Sequence, residues 1–353
     1  MIFHPFRIIK KTFLGVDIGV SSIKVVEISR WGGKIELRNY GHIASSAIYQ
    51  TPYQGFGGGS NFMISSPDVS EIIRAILKEA GIKTKEAVFS IPDFSTFFTT
   101  FQLPPMSEEE LPGAVRYEAR RHIPVPVSDV VLDWFHIGGE LGKKGNGVSI
   151  LLVAVPKETI SRYQEIAKAS SLDLKFLEAE AFSLARSLVH KEKEPICLLD
   201  IGAQSTSVNI VDQGILKISY SSDISGNDFT ATISKSLSIS PEEAEKLKKT
   251  QGLISDQTKE ILLPLVNLII IEIEKILKDF ETIDKRVKKI VLAGGSALLP
   301  GLDQYFSSYF KRPVEIGNPF FGLVYPPLLE QKLKTLGPSF AIAVGAALRG
   351  FES

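Results

Sequence analysis

Cysteine is nearly missing from this chain of 353 residues. Cys197 is the only one, so no disulfide forms within the chain, and a reducing compartment suits it. A surplus of charge is missing too. Lys plus Arg and Asp plus Glu each total 40, a formal balance that argues against a general binder of nucleic acid or of anionic membrane. The five histidines, His4, His42, His122, His136 and His190, fall at no metal-ligand spacing. No G-x-S-x-G elbow occurs. The glycine-rich "QGFGGGSN" reads as part of a loop from about Ser45 to Ser66. It is followed by no Gly-Lys-Ser/Thr, so it is no Walker A loop. An uninterrupted apolar run is absent as well. Pro264, Asn267, Glu272 and Glu274 break "ILLPLVNLIIIEIEKIL", which falls short of the roughly 20 apolar residues of a membrane span and reads as a buried helix. The start, "MIFHPFRIIKK", lacks a cleavage site and reads as a leading arm; adhesion to a membrane by Phe3, Phe6, Ile8 and Ile9 is the alternative.

What is present is a phrase used twice. "GVDIGVSSIK" begins at Gly15, and "LLDIGAQSTSVNIV" begins at Leu198. Each reads as a strand, an Asp, a Gly turn with small polar residues, then a second strand. In both places a hairpin turn and a third strand follow, which makes an internal duplication the best account of the pair. Between them, apolar residues from Val69 to Ala80 recur at helical spacing, and Gly81 closes that helix. "EAVFSI", "STFFTTFQL", "DVVLDWFHI" and "VSILLVAV" then read as four strands around one helix near Ala114 to Arg121, a small inserted α+β block. Ser107 with Glu110 resembles a capping box for that helix. Thr159–Ser170 and Glu178–His190 read as amphipathic helices, and a long apolar helix is expected from about Leu265 to Thr282. Ser240, Pro241 and Glu243 form a capping box opening "PEEAEKLKKTQG". The expected fold is α/β, with two duplicated lobes and the insert in the first. The divisions are 1–83, 84–156 for the insert, 157–194 for the return to the first lobe, and 195–353 for the second lobe, whose helical part covers about 225–285.

The chemistry these turns permit is phosphate binding. Glycine lets backbone N–H groups approach a phosphate, and an Asp at a strand end can hold a divalent cation through water. One such turn is a weak signal; two facing turns make a clamp on a polyphosphate. Lys24 is suited to the outer phosphates, although alone it reads as an exposed strand lysine. Gly294, Gly295 and Ser296 in "LAGGSALL" offer a third backbone approach, or a helix-packing turn. Glu245 and Lys248 suit ribose and base contacts, or form a solvated i, i+3 pair.

Five segments together resemble the actin-like ATPase superfamily: the two phrases above, "LEAEAFSLARSL", "VLAGGSALLPGL" and "AIAVGAALRG". Within it, "LPPMSEEELPGAVRYEARRHIPVPVSDVVLDWFHI" is similar to a signature of the PilM family of type IV pilus assembly proteins, relatives of the division protein FtsA. The resemblance implies a cytoplasmic, ATP- and Mg2+-binding adaptor of the inner-membrane pilus platform. It would dock the cytosolic N-terminal peptide of a PilN-like membrane protein, with other platform proteins and the assembly ATPases as further partners, and with no direct membrane insertion. It also implies roles by position. Asp17, Gly19, Ser21, Ser22 and Lys24 face phosphate and metal from one side, and Asp200, Gly202, Gln204, Ser205 and Thr206 from the other. Glu245 and Lys248 lie by sugar and base, with Gly294, Gly295 and Ser296 behind. Asp17 and Asp200 hold the metal through water, and Glu180 orients the attacking water, with Glu178 as the rival register. Ala203 stands where related hydrolases often carry a second acid, so hydrolysis is expected to be slow or absent. A sugar-kinase-like transferase shares this fold but lacks a substrate signature here. An FtsA-like filament former is the other alternative; such proteins commonly end in an amphipathic membrane helix, which "LRGFES" does not resemble. The peptide is expected in a groove between the insert, around "EAVFSI" and "VLDWFHI", and the first lobe.

Overall fold

The duplication is visible as two sheets with one topology. In the first, β1 (Lys11–Ile18), β2 (Ser22–Trp31) and β3 (Lys34–Ala44) form an antiparallel meander, and β4 (Glu86–Ile91) and β8 (Asp173–Ala179) add in parallel beyond β1, giving the order β3-β2-β1-β4-β8. In the second, β9 (Ile196–Ile201), β10 (Thr206–Asp212) and β11 (Ile215–Ser222) repeat the meander. There β12 (Lys289–Ala293) and β13 (Val314–Ile316) take the parallel places, in the order β11-β10-β9-β12-β13. The computed structural model describes residues 10–44, 66–139, 147–190, 192–282 and 285–352. The leading arm and most of the glycine-rich stretch lie outside the described residues.

Each sheet buries near-continuous apolar strands, as expected where helices cover them. In the first lobe, α1 (Ser66–Glu79) turns Val69, Ile72, Ile73 and Ile76 onto the sheet beside Tyr163 and Ile166 of α3 (Lys157–Ala169). In the second lobe, α5 (Gly226–Leu237), α6 (Pro241–Thr250), α7 (Asp256–Phe280) and α8 (Leu302–Phe310) close a larger core. The Ser240–Glu243 capping box is formed in both directions at the start of α6. Helix α7 begins at Asp256, earlier than the apolar run implies, and passes through Pro264. A mid-helix proline loses one backbone hydrogen bond, and burial of Leu262, Val266, Ile269, Ile270 and Ile273 on the core side offsets that loss.

The inserted block departs from the sequence reading. Its sheet has three strands, β5 (Phe97–Leu103), β6 (Val130–Gly138) and β7 (Val148–Pro156), with β7 in the centre and α2 (Leu111–His122) on one face. The fourth expected strand, "EAVFSI", is β4, which lies between β1 and β8 in the first sheet, so the insert leaves the lobe after Ile91. Ser107 and Glu110 do interact, at 2.8 Å from Ser107 N–H to Glu110 Oε2, but α2 starts only at Leu111, so the contact shapes the preceding turn and caps no helix. A further strand, β8, occupies "DLKFLEA", where helix formers hide it; parallel pairing with β4 decides its state.

Two helices join the lobes: α4 (Glu180–Leu188) and α9 (Glu330–Arg349). They touch backbone to backbone. A Cβ at Gly345 would fall 1.8 Å from the carbonyl oxygen of Ser183, and one at Gly15 of β1 would fall 1.8 Å from that of Ala343. Neither neighbour is a flexible side chain, so substitution forces the helices apart. Gly345→Ala should therefore cost at least about 1–3 kcal/mol, the usual range for overpacking. Urea unfolding should show this as a lowered midpoint, whereas alanine at Gly113 of α2, where a Cβ meets nothing within 4 Å, should leave the midpoint unmoved or slightly raised.

Candidate functional site

In open α/β sheets ligands sit at the carboxyl ends of the parallel strands, and there the chain gathers its acids. Asp17 lies at the end of β1, Asp93 just past β4, Glu180 just past β8, and Asp200 at the end of β9. The two meanders turn in the same way beside Asp17 and Asp200. Gly19 N–H donates to Ser22 O at 3.1 Å, and Gly202 N–H donates to Ser205 O at 2.9 Å. In the first turn Asp17 faces Lys24 across the ladder, and Lys24 Nζ donates to Asp17 Oδ2 at 3.0 Å. Lys24 is thus no loose surface lysine: its side chain is 13% exposed. Ser21 is exposed, while Ser22, Gly202, Gln204 and Ser205 are partly buried. Thr206 is buried and donates its hydroxyl to Ile224 O at 2.6 Å, so its side chain braces the turn.

The third turn presses on the second. Gly294 has φ +85°, and a Cβ there would stand 2.2 Å from Asp200 Oδ1 and 2.5 Å from Ile201 O. Only glycine fits that conformation and that approach. Gly295 is exposed with nothing within 4 Å of its Cβ position, and buried Ser296 donates its N–H to Ile201 O at 3.1 Å. Gly226, which the sequence reading passed over inside "SGNDFT", ties these parts together. Its N–H donates to Gly202 O at 2.8 Å, its carbonyl accepts from Lys248 Nζ at 2.9 Å, and a Cβ on it would meet Ser296 Oγ at 2.4 Å. Glu245 and Lys248 form no solvated pair. Lys248 is buried, holds Glu245 Oε2 at 2.6 Å and also donates to Thr230 Oγ1 at 2.8 Å.

Glu180 and Glu178 have different surroundings. Glu178 is held by both terminal nitrogens of Arg186, at 2.6 and 3.0 Å, and accepts the Ser183 hydroxyl, on the helix-crossing side. Glu180 stands among acids. Loss of water, then the carboxyls of Asp93, Asp17 and Asp200, push it well above the usual carboxylate range. Asp93, also absent from the sequence reading, is locked to it: Asp93 N–H donates to Glu180 Oε2 at 3.2 Å, and Ala181 N–H donates to Asp93 Oδ1 at 3.1 Å. Burial pushes Asp93 up to about 7, with the Asp200 charge adding to it and the Ala181 N–H opposing it. Asp200 is also pushed up to about 7 by burial and by the Asp17 charge, with Lys24 opposing. Among the described residues no three acidic, histidine or cysteine side chains come together as ligands of one ion. A cation here would keep waters between itself and the carboxylates.

The family described as type IV pilus assembly protein PilM matches residues 15–351. The chain belongs to the PilM family. Its structure matches the PilM–PilN type IV pilus biogenesis complex with a TM-score of 0.81 and 27% identity, over 96% of this chain and 98% of that one. Cell division protein FtsA of Staphylococcus epidermidis is 22% identical over 381 residues, spanning 93% of this chain and 79% of its own. Two more distant structures share the fold. EutJ of Carboxydothermus hydrogenoformans has a TM-score of 0.58 at 15% identity, covering 98% of this chain and 91% of its own. MreB5 of Spiroplasma citri, bound to ADP, has 0.56 at 14%, covering 97% and 96%. The architecture of this PilM-family chain is that of the actin-like ATPases.

The raised acids set a pH dependence. Below the ordinary Asp value of 3.8, Asp200 is protonated whether folded or not; between there and about 7 the folded state holds a proton that the unfolded state has released. Stability from this group is therefore greatest at low pH, declines as pH rises through that window, and is level above about 7. Urea titrations of the ligand-free protein at several pH values should show this decline, by at most about 1.4 kcal/mol per pH unit per group. Asp200→Asn should make it shallower by one group's share, leaving that of Asp93 and Glu180.

Proposed function

We propose that this PilM-family protein is an ATP-binding adaptor of the type IV pilus inner-membrane platform, held at the membrane by the cytosolic N-terminal peptide of a PilN-like protein. The observation that carries the nucleotide half is the repetition of one Asp-Gly turn in both lobes, with Asp17 close enough for its charge to act on Asp200 and Gly294 held against Asp200. The residues present fit the group. Asp200 Oδ1 and Gln204 Oε1 are buried without a hydrogen-bond partner, Gly295 opens onto free space, and Lys24 supplies a fixed cation. In this reading Gly19, Ser21, Ser22, Gly202 and Ser205 receive phosphates, with Asp17 and Asp200 on the waters of Mg2+. Ser296 and Gly295 lie toward the adenosine, with Glu245 and Lys248 near the sugar. Glu180 is the acid placed to order water. Bound Mg2+ supplies charge neutralisation of the phosphates. Ala203 leaves one position without an acid, and turnover is placed far below the roughly 1–100 s⁻¹ of kinases.

The partner half is supported by the match to a complex that contains PilN. Strand β4 is buried between β1 and β8 and offers no edge to a peptide, so this reading takes the insert's own edge as the docking surface. Strand β6 is an edge strand with Val131 and Phe135 exposed, and a depression of about 470 Å³ lined by Arg120 and Val125 to Ser128 adjoins the same block. An extended peptide added there would use main-chain bonds for affinity and pockets for specificity. No described helix is long and apolar enough to cross a membrane.

Calorimetric titration with ATP and Mg2+ tests the first half: Asp17→Ala and Asp200→Ala should each weaken binding about tenfold or more, and unchanged affinity in both refutes the clamp. Fluorescence titration with a synthetic PilN-type N-terminal peptide tests the second. Val131→Asp with Phe135→Asp should abolish binding and Asp200→Ala should leave it intact; retained binding in the double variant refutes this surface.

A further inference from the structure

The second turn carries Ala203, a residue with no charge to order a cation's waters, and Asp93 of the other lobe comes within reach of Asp200 and Ser207. Asp93 is 4% exposed and is fixed at both ends by its bonds to Glu180 and Ala181. The Ser207 hydroxyl lies near its carboxyl and favours its charged form, but the remaining oxygen, Oδ2, has no close partner among the described residues, and neither has Oδ1 of Asp200. The ladder registers place a polar row across the second sheet between them. Asp200 pairs with Ser207, which pairs with Ser221, and Asn209 pairs with Ser219 on the same face. The hydroxyls of Ser219 and Ser221 and Oδ1 of Asn209 are buried and likewise unpartnered. Asp93, Ser219, Ser221 and Asp223 line a cavity of about 240 Å³ at the end of this row. A buried polar atom left without a partner costs about 1–3 kcal/mol, and several of them facing one roomy cavity mark a place for ordered water.

We infer that Asp93, through the waters of this row, completes the outer shell of the divalent cation held at Asp200, in the place of the acid absent at Ala203. The inference rests on the nucleotide reading above. Mg2+ keeps several waters and is bound through one or two carboxylates plus substrate phosphates, and carboxylates in the outer shell orient what the ion holds. Asp93 lies close enough to Asp200 for the two charges to act on each other. A cation between them turns that repulsion into shared attraction.

The test is calorimetric titration of the full chain with ATP, with Mg2+ and in its absence, comparing the two affinities. Asp93→Asn keeps the side-chain carbonyl that accepts from Ala181 and removes the charge. The enhancement of ATP affinity by Mg2+ should fall about tenfold, while Mg2+-free ATP should bind as well as before or tighter, because a negative charge near the phosphates is gone. Adding Ala203→Asp to Asp93→Asn should restore most of the enhancement. An unchanged enhancement in Asp93→Asn overturns the inference, and so does a parallel loss of both affinities, which is the mark of a merely structural role. If Asp93→Asn does not fold, Ser207→Ala gives the same reading: a reduced enhancement supports the row, an unchanged one overturns it. Failure of the nucleotide reading is distinct, since the wild-type chain would then bind no ATP in either condition.

Discussion

Like charges held close together, away from water, are the constraint on which this structure is built. Asp17, Asp93, Glu180 and Asp200 converge at the strand ends, and three of them are pushed upward by burial and by one another. Such a group disperses unless the backbone holds it. The chain does so with parallel strands that end in register, with a Lys24–Asp17 pair, and with the reciprocal bonds between Asp93 and the start of α4. The helix crossing at Gly345 and Ser183 then fixes α4, and with it Glu180, against α9, which packs on β1. The repulsion is local and electrostatic.

How much of this was legible in the sequence follows from what each signal depends on. The twin Asp-Ile-Gly phrases were readable because a hairpin turn beside a buried strand needs local residue types. Their backbone bonds, Gly19 to Ser22 and Gly202 to Ser205, repeat faithfully. The capping box at Ser240 is local as well and is formed. Strand β8 was not readable, because "DLKFLEA" favours helix and its state is set by pairing with β4 across more than 80 positions of chain. "EAVFSI" was recognised as a strand but placed in the wrong sheet, since a strand's own residues do not name its neighbours. Asp93 was missed for the same reason: "IPDFST" places an acid after a strand, as "VDIG" does, but its value depends on Glu180 and Asp200 arriving from elsewhere. Gly226 was missed because glycine at a helix start is ordinary, and only the closeness of Ser296, Gly202 and Lys248 makes it obligatory.

The inserted block gains its role from the same frame. One face of its sheet packs on α2, and the other reaches the junction between lobes, where Leu151 and Val153 join Ala181, Leu184, Leu198 and Ile342 in one core. Phe98 and Phe135 both lie against Phe182 of α4, with ring centroids 6.3 and 4.8 Å apart. Lys217 of β11 donates to the carbonyl of Ile137 in β6. The block is therefore no pendant: it rests on both lobes.

Helix α4 is the element shared by the acid cluster and the insert. Glu180 is its first residue and Ala181 N–H holds Asp93, so its start belongs to the acid cluster. Phe182, the next residue, carries the aromatic contact to the edge strand β6. Ser183 then meets Gly345 of α9, backbone to backbone. Four consecutive residues thus touch the cleft, the insert and the opposite connecting helix. A helix is stiff along its axis, and close-packed contacts transmit displacement without absorbing it. The placing of Glu180 and the aromatic contact to β6 thus depend on the position of one helix.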